Sequence, residues 1–127
     1  MLKVLYSSAD TYIVTTQSLI NNTGVITMSL AKYATVGEAL VALKLIRTLV
    51  KRGYAVSIWN GGDEAEIENS TDVNALLDEM AATGEEEITA NNIWFSLVYG
   101  NEDDGSELIS DCYANRECEA ILEEINA

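Results

Sequence analysis

The clearest feature of the hydrophobic pattern is an amphipathic helix over residues 36–52, "VGEALVALKLIRTLVKR". Thr35 and Glu38 have the spacing of a capping box, and Gly53 stands where a left-handed C-cap is expected. Its cations lie in the second half, where they suit the negative end of the helix dipole. Apolar residues at helical spacing predict its buried face: Val36, Ala39, Leu40, Ala42, Leu43, Ile46, Leu49 and Val50.

Two more helices follow from the same periodicity. Residues 72–82 carry an apolar stripe, with Ser70 or Thr71 as the predicted N-cap and Gly84 as the stop. Residues 115–125 form the last helix, capped by Asn115, with Cys118 on its apolar face. A small buried hydrophobe is therefore the preferred interpretation of that cysteine.

Alternating positions predict strands before each helix. The pairs are "TYIVTTQSL" with "VITMSLA", "YAVSIWN" with "DEAEIENS", and "NIWFSLVYG" with "ELISDCY". Their turns are "NNTG", Gly61-Gly62 and the tip from Asn101 to Gly105, and "LKVLY" adds a short first strand. The chain thus reads as three strand-strand-helix units that begin near Tyr12, Tyr54 and Ile93.

This order predicts one α+β domain over residues 1–127, an antiparallel sheet with helices packed on one face. The stretches "VSIWNGGDE" and "FSLVYGNED" resemble each other and suggest a duplicated unit. We expect the core to contain Leu40, Leu43, Ile46, Val56, Ile58, Leu76, Leu77, Leu97, Val98, Ile121 and Leu122.

The charge of the chain is strongly divided between its two parts. The net charge is −14. Residues 1–62 carry six basic and two acidic side chains, whereas residues 63–127 carry nineteen acidic side chains and one arginine. The acidic part also keeps periodic aliphatic and aromatic residues, so it is predicted to be ordered and not an acidic tail.

Three acidic clusters are the candidate partner-binding residues. Alternate residues of "DEAEIENS" are expected about 6.6 Å apart on one strand face, a second cluster follows the second helix, and a third occupies the "NEDDGSE" hairpin. These carboxylates repel one another and have no cations nearby in the sequence, which indicates that a partner supplies the opposite charge. Nineteen carboxylates match the charge of about ten base pairs of DNA. The candidates are Asp63, Glu64, Glu66, Glu68, Glu85, Glu86, Glu87, Glu102, Asp103, Asp104 and Glu107.

Catalytic and metal chemistry find little support in the composition. The chain has no histidine and only two cysteines, which excludes Ser-His-Asp and Cys-His catalysis and the usual zinc sites. "NEDDGSE" superficially resembles a calcium loop, but its glycine is the fifth residue where that loop requires the sixth. We therefore predict no catalytic residues, no metal and no cofactor. No apolar run is long enough for a membrane span, and the early polar residues do not fit a signal peptide.

Several stretches resemble small phage and prophage proteins, namely "RGYAVSIWNGGDE", "NSTDVNALLDEM" and "LVYGNEDDGSELISDCYAN". A short, histidine-free α+β chain with a concentrated acidic half is similar to the DNA-mimic and anti-defence proteins of bacteriophages, including anti-restriction and anti-CRISPR inhibitors. The resemblance implies a non-enzymatic inhibitor that binds the basic nucleic-acid-binding surface of a CRISPR effector or restriction enzyme. It also implies a place in the host cytoplasm, without direct nucleic-acid or membrane binding.

Two alternatives stay open at the level of sequence. The acidic residues can serve only to keep a small domain in solution. The chain can also be a phage structural, assembly or dimerising accessory protein that uses apolar surface, with Trp59 and Trp94 as contacts. The basic part is not needed by a pure DNA mimic, and a homodimer interface is one use for it.

Overall fold

The computed structural model describes residues 2–7, 11–17, 23–29, 33–101 and 104–126, and side chains are described from residue 33 onward. The three helices are α1 (Val36–Lys51), α2 (Val73–Glu79) and α3 (Arg116–Ile125). The strands are β1 (Leu2–Ser7), β2 (Thr11–Gln17), β3 (Thr23–Ser29), β4 (Val56–Trp59), β5 (Ile67–Ser70), β6 (Glu85–Ala90), β7 (Ile93–Val98) and β8 (Ile109–Cys112).

The central feature is a five-stranded sheet with the order β5-β4-β6-β7-β8, in which every neighbouring pair is antiparallel. The hairpins β4–β5 and β7–β8 flank β6. The two similar stretches of sequence contain β4 and most of β7, which are the two strands that neighbour β6. After β4 and β7 the chain turns through Gly61 and Gly100, which both have positive φ. The α+β class with an antiparallel sheet and three helices is confirmed.

The first three strands form a separate antiparallel ladder with the order β1-β2-β3. The pairing of β1 with β2 is interrupted by an irregularity between Val4 and Tyr6. Residues 21 and 22 of the predicted "NNTG" turn lie outside the described residues, and Thr23 and Gly24 already belong to β3. β3 also approaches α2.

Strand β6 departs from the sequence prediction, which treated Glu85–Glu87 as an acidic run after a helix. It pairs with β4 on one side and with β7 on the other. The third unit therefore contains three strands. Ile88 and Ala90 alternate with Thr89, and the two-residue link Asn91-Asn92 is typical of a tight hairpin, so a signal was present but hidden by the glutamates.

The core lies on one face of this sheet, where Ile58, Ile88 and Phe95 stand side by side across three strands. Residues of all three helices belong to the same buried cluster. The helices α2 and α3 both contact α1, which buries Leu45 outside its predicted stripe and leaves Val36 exposed. Among the expected core residues, Leu40, Val98 and Leu122 are half-buried, and the buried ones are Leu43, Ile46, Val56, Ile58, Leu76, Leu77, Leu97 and Ile121.

The ends of α1 agree with the sequence prediction. Thr35 and Glu38 form a reciprocal capping box. At the other end Gly53 has φ +90, and the N–H groups of Gly53 and Tyr54 donate to the carbonyls of Val50 and Leu49. This is a Schellman arrangement, which requires a residue that tolerates the left-handed conformation.

The ends of α2 were predicted wrongly, whereas Asn115 caps α3 as expected. The N-cap of α2 is Asp72, which accepts the N–H of Ala75, and the helix stops at Glu79. It stops early because the backbone of Met80 is extended, and Ala81 then takes a left-handed conformation, with φ +59. For an alanine this conformation costs about 1 kcal/mol.

Candidate functional site

The acidic surface is the largest feature with possible functional meaning. Of the nineteen carboxylates after residue 62, Glu102 and Asp103 lie outside the described residues, Glu79 is half-buried and Glu86 is buried. Among the described residues there is one ion pair, Arg52–Glu124, at 3.1 Å. The exposed carboxylates are Asp63, Glu64, Glu66, Glu68, Asp72, Asp78, Glu85, Glu87, Asp104, Glu107, Asp111, Glu117, Glu119, Glu123 and Glu124.

The first predicted cluster is exposed, but its expected regular spacing is wrong. Strand β5 begins at Ile67, so Glu68 is its member and the loop before it holds Asp63, Glu64 and Glu66. The loop is long because β4 ends at Trp59. Hydrogen bonding to β4 begins again only at Glu66, whose N–H donates to the carbonyl of Ile58. These carboxylates are therefore spread around a hairpin end.

The second predicted cluster is divided by the pleat of β6. Glu85 and Glu87 are exposed, while Glu86 is 3% exposed and faces the core beside Ile88. Strand geometry sends successive side chains to opposite faces, so three consecutive glutamates cannot share one surface. The prediction that Glu86 belongs to the partner-binding surface is wrong, because its carboxylate is inside the protein.

The third cluster belongs to the loop between β7 and β8, whose described part lies against α1. Asp104 and Glu107 are exposed. The Asp104 carboxylate accepts the Ser106 N–H at 2.9 Å, and this hydrogen bond lowers the pKa of Asp104. Gly105 is buried with φ +78, and a Cβ built on it would be 2.6 Å from the carbonyl oxygen of Gly37. Helix packing thus fixes this side of the loop.

Glu38 fixes the other side of the same loop. Its carboxylate is fully buried and accepts the Gly100 N–H with both oxygens, each at 2.9 Å. It also accepts the N–H of Asn101 at 3.4 Å and that of Thr35 at 3.0 Å. The capping-box spacing identified Glu38 as a helix residue, but nothing in the sequence indicated the contact with residues 100 and 101.

A second buried carboxylate, that of Glu86, contacts the side chain of Tyr99. Glu86 accepts the phenol O–H of Tyr99 and, at 3.0 Å, the N–H of Ala81. Tyr99 itself is buried, and its backbone N–H donates to the carbonyl of Gly84. Nothing in the sequence indicated this pair beyond the alternation of Glu86 with Ile88.

Burial determines the titration of the pair. Desolvation raises the pKa of Glu86 to about 7, and the hydrogen bonds from Tyr99 and Ala81 offset only part of that effect. Desolvation also raises the pKa of Tyr99, and the charges of Glu86 and Glu38 add to the increase. Glu86 is therefore a buried acid that changes charge close to neutral pH.

The sheet face opposite the core carries aromatic side chains. Trp59 lies across from Glu87, and Trp94 lies across from Thr89. The indole N–H of Trp59 donates to Thr89 at 2.8 Å, and that of Trp94 donates to Glu87 at 3.2 Å. The ring centroids of Trp94 and Tyr113 are 5.5 Å apart, and Tyr113 is 52% exposed. Aromatic and acidic groups thus share this face.

A groove of about 750 Å³ runs between α1, α3 and the loop that contains Asp104. Helix α1 contributes Lys44, Arg47 and Lys51, while α3 contributes Glu124. The basic stripe of α1 therefore faces acidic groups of the C-terminal part. Its mixed charge gives no reason to assign an anionic ligand to it.

Comparison of the chain with protein-family models, with curated protein sequences and with solved structures finds no match in any of the three. Among the described residues, no three carboxylate or thiol groups are placed together so that they could hold a metal ion. In the same part of the chain, no helix is long and apolar enough to cross a bilayer.

Proposed function

We propose that the protein is a non-enzymatic inhibitor whose acidic surface binds the basic nucleic-acid-binding surface of a host defence complex, such as a CRISPR effector or a restriction enzyme. One observation carries the proposal. Fifteen exposed carboxylates follow residue 62, and Glu124 is the one that makes an ion pair among the described residues. The charge that remains is available to cations of a partner.

The electrostatic reasoning starts from the cost of this arrangement. Like charges that are neighbours on a helix or a sheet destabilise the fold by a few tenths of a kcal/mol each. A surface that keeps such repulsion unrelieved lowers its free energy when a basic partner supplies the opposite charge. It also attracts that partner over a distance, which accelerates association at low salt.

Ordered secondary structure and loop contacts support a binding role for these carboxylates. Glu85 and Glu87 extend from a strand with partners on both sides. The loop with Asp104 and Glu107 is attached to α1 through Glu38 and Gly105. Groups held in place lose less conformational entropy when they bind, so more of the interaction energy contributes to affinity.

The experiment that tests the proposal is affinity capture from a bacterial lysate at low salt, with elution by a salt gradient and identification by mass spectrometry. We expect nucleases or CRISPR components that elute as salt rises, and nucleic acid should compete for them. Recovery of the protein alone, with no basic nucleic-acid-binding protein at any salt concentration, would contradict the proposal.

A second candidate function rests on the aromatic face of the sheet. Trp59, Trp94 and Tyr113 lie on the side opposite the core, which favours a phage structural, assembly or dimerising accessory protein that uses this face for contact. Such apolar association would persist at high salt, because screening weakens charge interactions and leaves hydrophobic contacts intact. Sedimentation at low and high salt separates the two candidates.

A further inference from the structure

The buried side chain Glu86 connects two segments that are distant in sequence. One oxygen accepts the N–H of Ala81, which lies two residues beyond the end of α2. The other accepts the phenol O–H of Tyr99, where the loop between β7 and β8 begins. The end of a helix and the start of an acidic loop therefore meet at one carboxylate.

The surroundings of Glu86 supply hydrogen bonds but no positive charge. The titratable group in contact with it is Tyr99, which directly follows β7, and the charge of Glu38 on α1 acts on Tyr99 in turn. Its strand neighbours Glu85 and Glu87 are on the opposite face of β6. Among the described residues no lysine or arginine pairs with Glu86, so ionisation leaves an uncompensated charge inside the core.

The backbone conformation of Ala81 supports the importance of its hydrogen bond to Glu86. Ala81 is fully buried and has φ +59, a conformation that alanine rarely adopts. Its N–H reaches Glu86 in that conformation. Strained residues persist where surrounding contacts hold them, so the interaction with Glu86 and the left-handed turn support each other.

We propose that Glu86 is a protonation-dependent latch, which in its neutral form holds the turn at Ala81 and the start of the acidic loop at Tyr99 together, and which loosens when it ionises. In the neutral form no charge is buried, and the carboxyl group stays in contact with Ala81 and Tyr99, although the hydrogen bonds that it accepts are weaker than those of the ionised carboxylate. In the ionised form the carboxylate gains free energy when the latch opens and water reaches it. The inference does not depend on the proposed function.

The direction and size of the effect follow from linkage between ionisation and opening. The pKa of Glu86 is about 7 when the latch is closed and approaches the ordinary glutamate value of 4.5 when water reaches it. Opening releases a proton within this interval, so a higher pH favours the open form. Between pH 5 and pH 8 the opening equilibrium should rise roughly 50- to 100-fold.

Hydrogen exchange of the amides of Ala81, Tyr99 and Gly100 measures this opening, once the rates are corrected for the intrinsic pH dependence of exchange. The wild-type protein should show the rise, and Glu86→Gln should abolish it, because the amide has a similar shape and does not ionise. Glu85→Gln is the matched control on the exposed face of the same strand, and it should behave like the wild type. Equal protection at the two pH values in the wild type, or an unchanged rise in Glu86→Gln, would overturn the proposal.

Titration of the side-chain carboxyl carbons by NMR in the wild-type protein gives an independent test that needs no variant. A carboxyl assigned to Glu86 that titrates near neutral pH supports the latch. A Glu86 carboxyl that titrates in the range of exposed glutamates would overturn it, even if Glu86→Gln failed to fold.

Discussion

Glu38 in the first turn of α1 accepts the backbone N–H of Gly100 with both carboxylate oxygens, each at 2.9 Å, across 62 positions of sequence. The same carboxylate completes the capping box with Thr35. One buried side chain therefore starts a helix and fixes the base of the acidic loop between β7 and β8. The stability of the helix and the position of the loop are linked through it.

Replacing Glu38 with alanine should destabilise the protein by about 2–4 kcal/mol, because a buried carboxylate is removed and the partly buried N–H groups of Thr35 and Gly100 lose it as their acceptor. Urea unfolding measures the loss, and hydrogen exchange at Gly100 and Asn101 should become faster. Glu117→Ala is the control, since Glu117 also lies in a first helical turn but is exposed. A similar loss in both variants would mean that the loop contact contributes nothing.

Gly105→Ala should cost at least about 2 kcal/mol, because φ is +78 and the new Cβ would be 2.6 Å from the carbonyl oxygen of Gly37. Gly61→Ala separates the effect of backbone strain at positive φ from the effect of a steric clash of the new Cβ. Gly61 has φ +101 but no atom within 4 Å of a Cβ, so its substitution should cost about 1 kcal/mol. Thermal or urea unfolding compares the two, and equal losses would show that the loop does not pack on α1.

Global stability should fall as the pH rises through the interval set by Glu86. The pKa of this group is raised in the folded protein, so the folded state binds more protons than the unfolded state between about pH 4.5 and about pH 7. Its contribution is complete below pH 4.5 and decreases by about 3 kcal/mol as the pH rises past 7. Urea unfolding of wild type and Glu86→Gln across this interval should differ in slope, and parallel curves would contradict the assignment.

Tyr99→Phe should raise the pKa of Glu86 further, because the phenol hydrogen bond favours the ionised carboxylate. The variant should therefore lose more stability at pH 8 than at pH 5, with a difference of about 1–2 kcal/mol. Carboxyl NMR titration and urea unfolding at both pH values measure the two effects. Tyr113→Phe removes an exposed phenol and serves as the control. An unchanged Glu86 titration in Tyr99→Phe would argue against the hydrogen bond.

Charge reversal should test the acidic surface directly. Reversal of Glu64, Glu66 and Glu68 together, or of Glu102, Asp103 and Asp104 together, should slow association with a captured basic partner about tenfold or more at low salt. The difference should shrink as salt screens the charges. Circular dichroism and urea unfolding should show the fold retained.

The matched controls for these variants lie on the basic stripe of α1. Charge reversal at Lys44 or Lys51 makes the net charge more negative, whereas reversal of an acidic cluster makes it less negative. The lysine variants should therefore slow association less than the acidic variants do. If acidic and basic reversals had equally small effects, and self-association persisted at high salt, the aromatic face of the sheet would be the better candidate for the binding surface.

The sequence by itself determined features that depend on neighbouring residues. The capping box of Thr35 with Glu38, the left-handed Gly53 and the Asn115 cap are all set by interactions within a few residues, and each was predicted. Apolar periodicity likewise identified most of the core, since a buried stripe repeats along its own helix or strand. The division of charge between residues 1–62 and 63–127 is a property of composition alone.

Tertiary structure decided which acidic residues face water and which face the core. Glu86 resembles Glu85 and Glu87 in sequence, yet β4 and β7 enclose β6 and turn Glu86 inward toward Tyr99. Glu38 obtains its second role because the loop at Gly100 folds back on α1. Both outcomes depend on pairing between distant segments, and local sequence carries no record of which segment will supply a buried carboxylate with its hydrogen-bond donors.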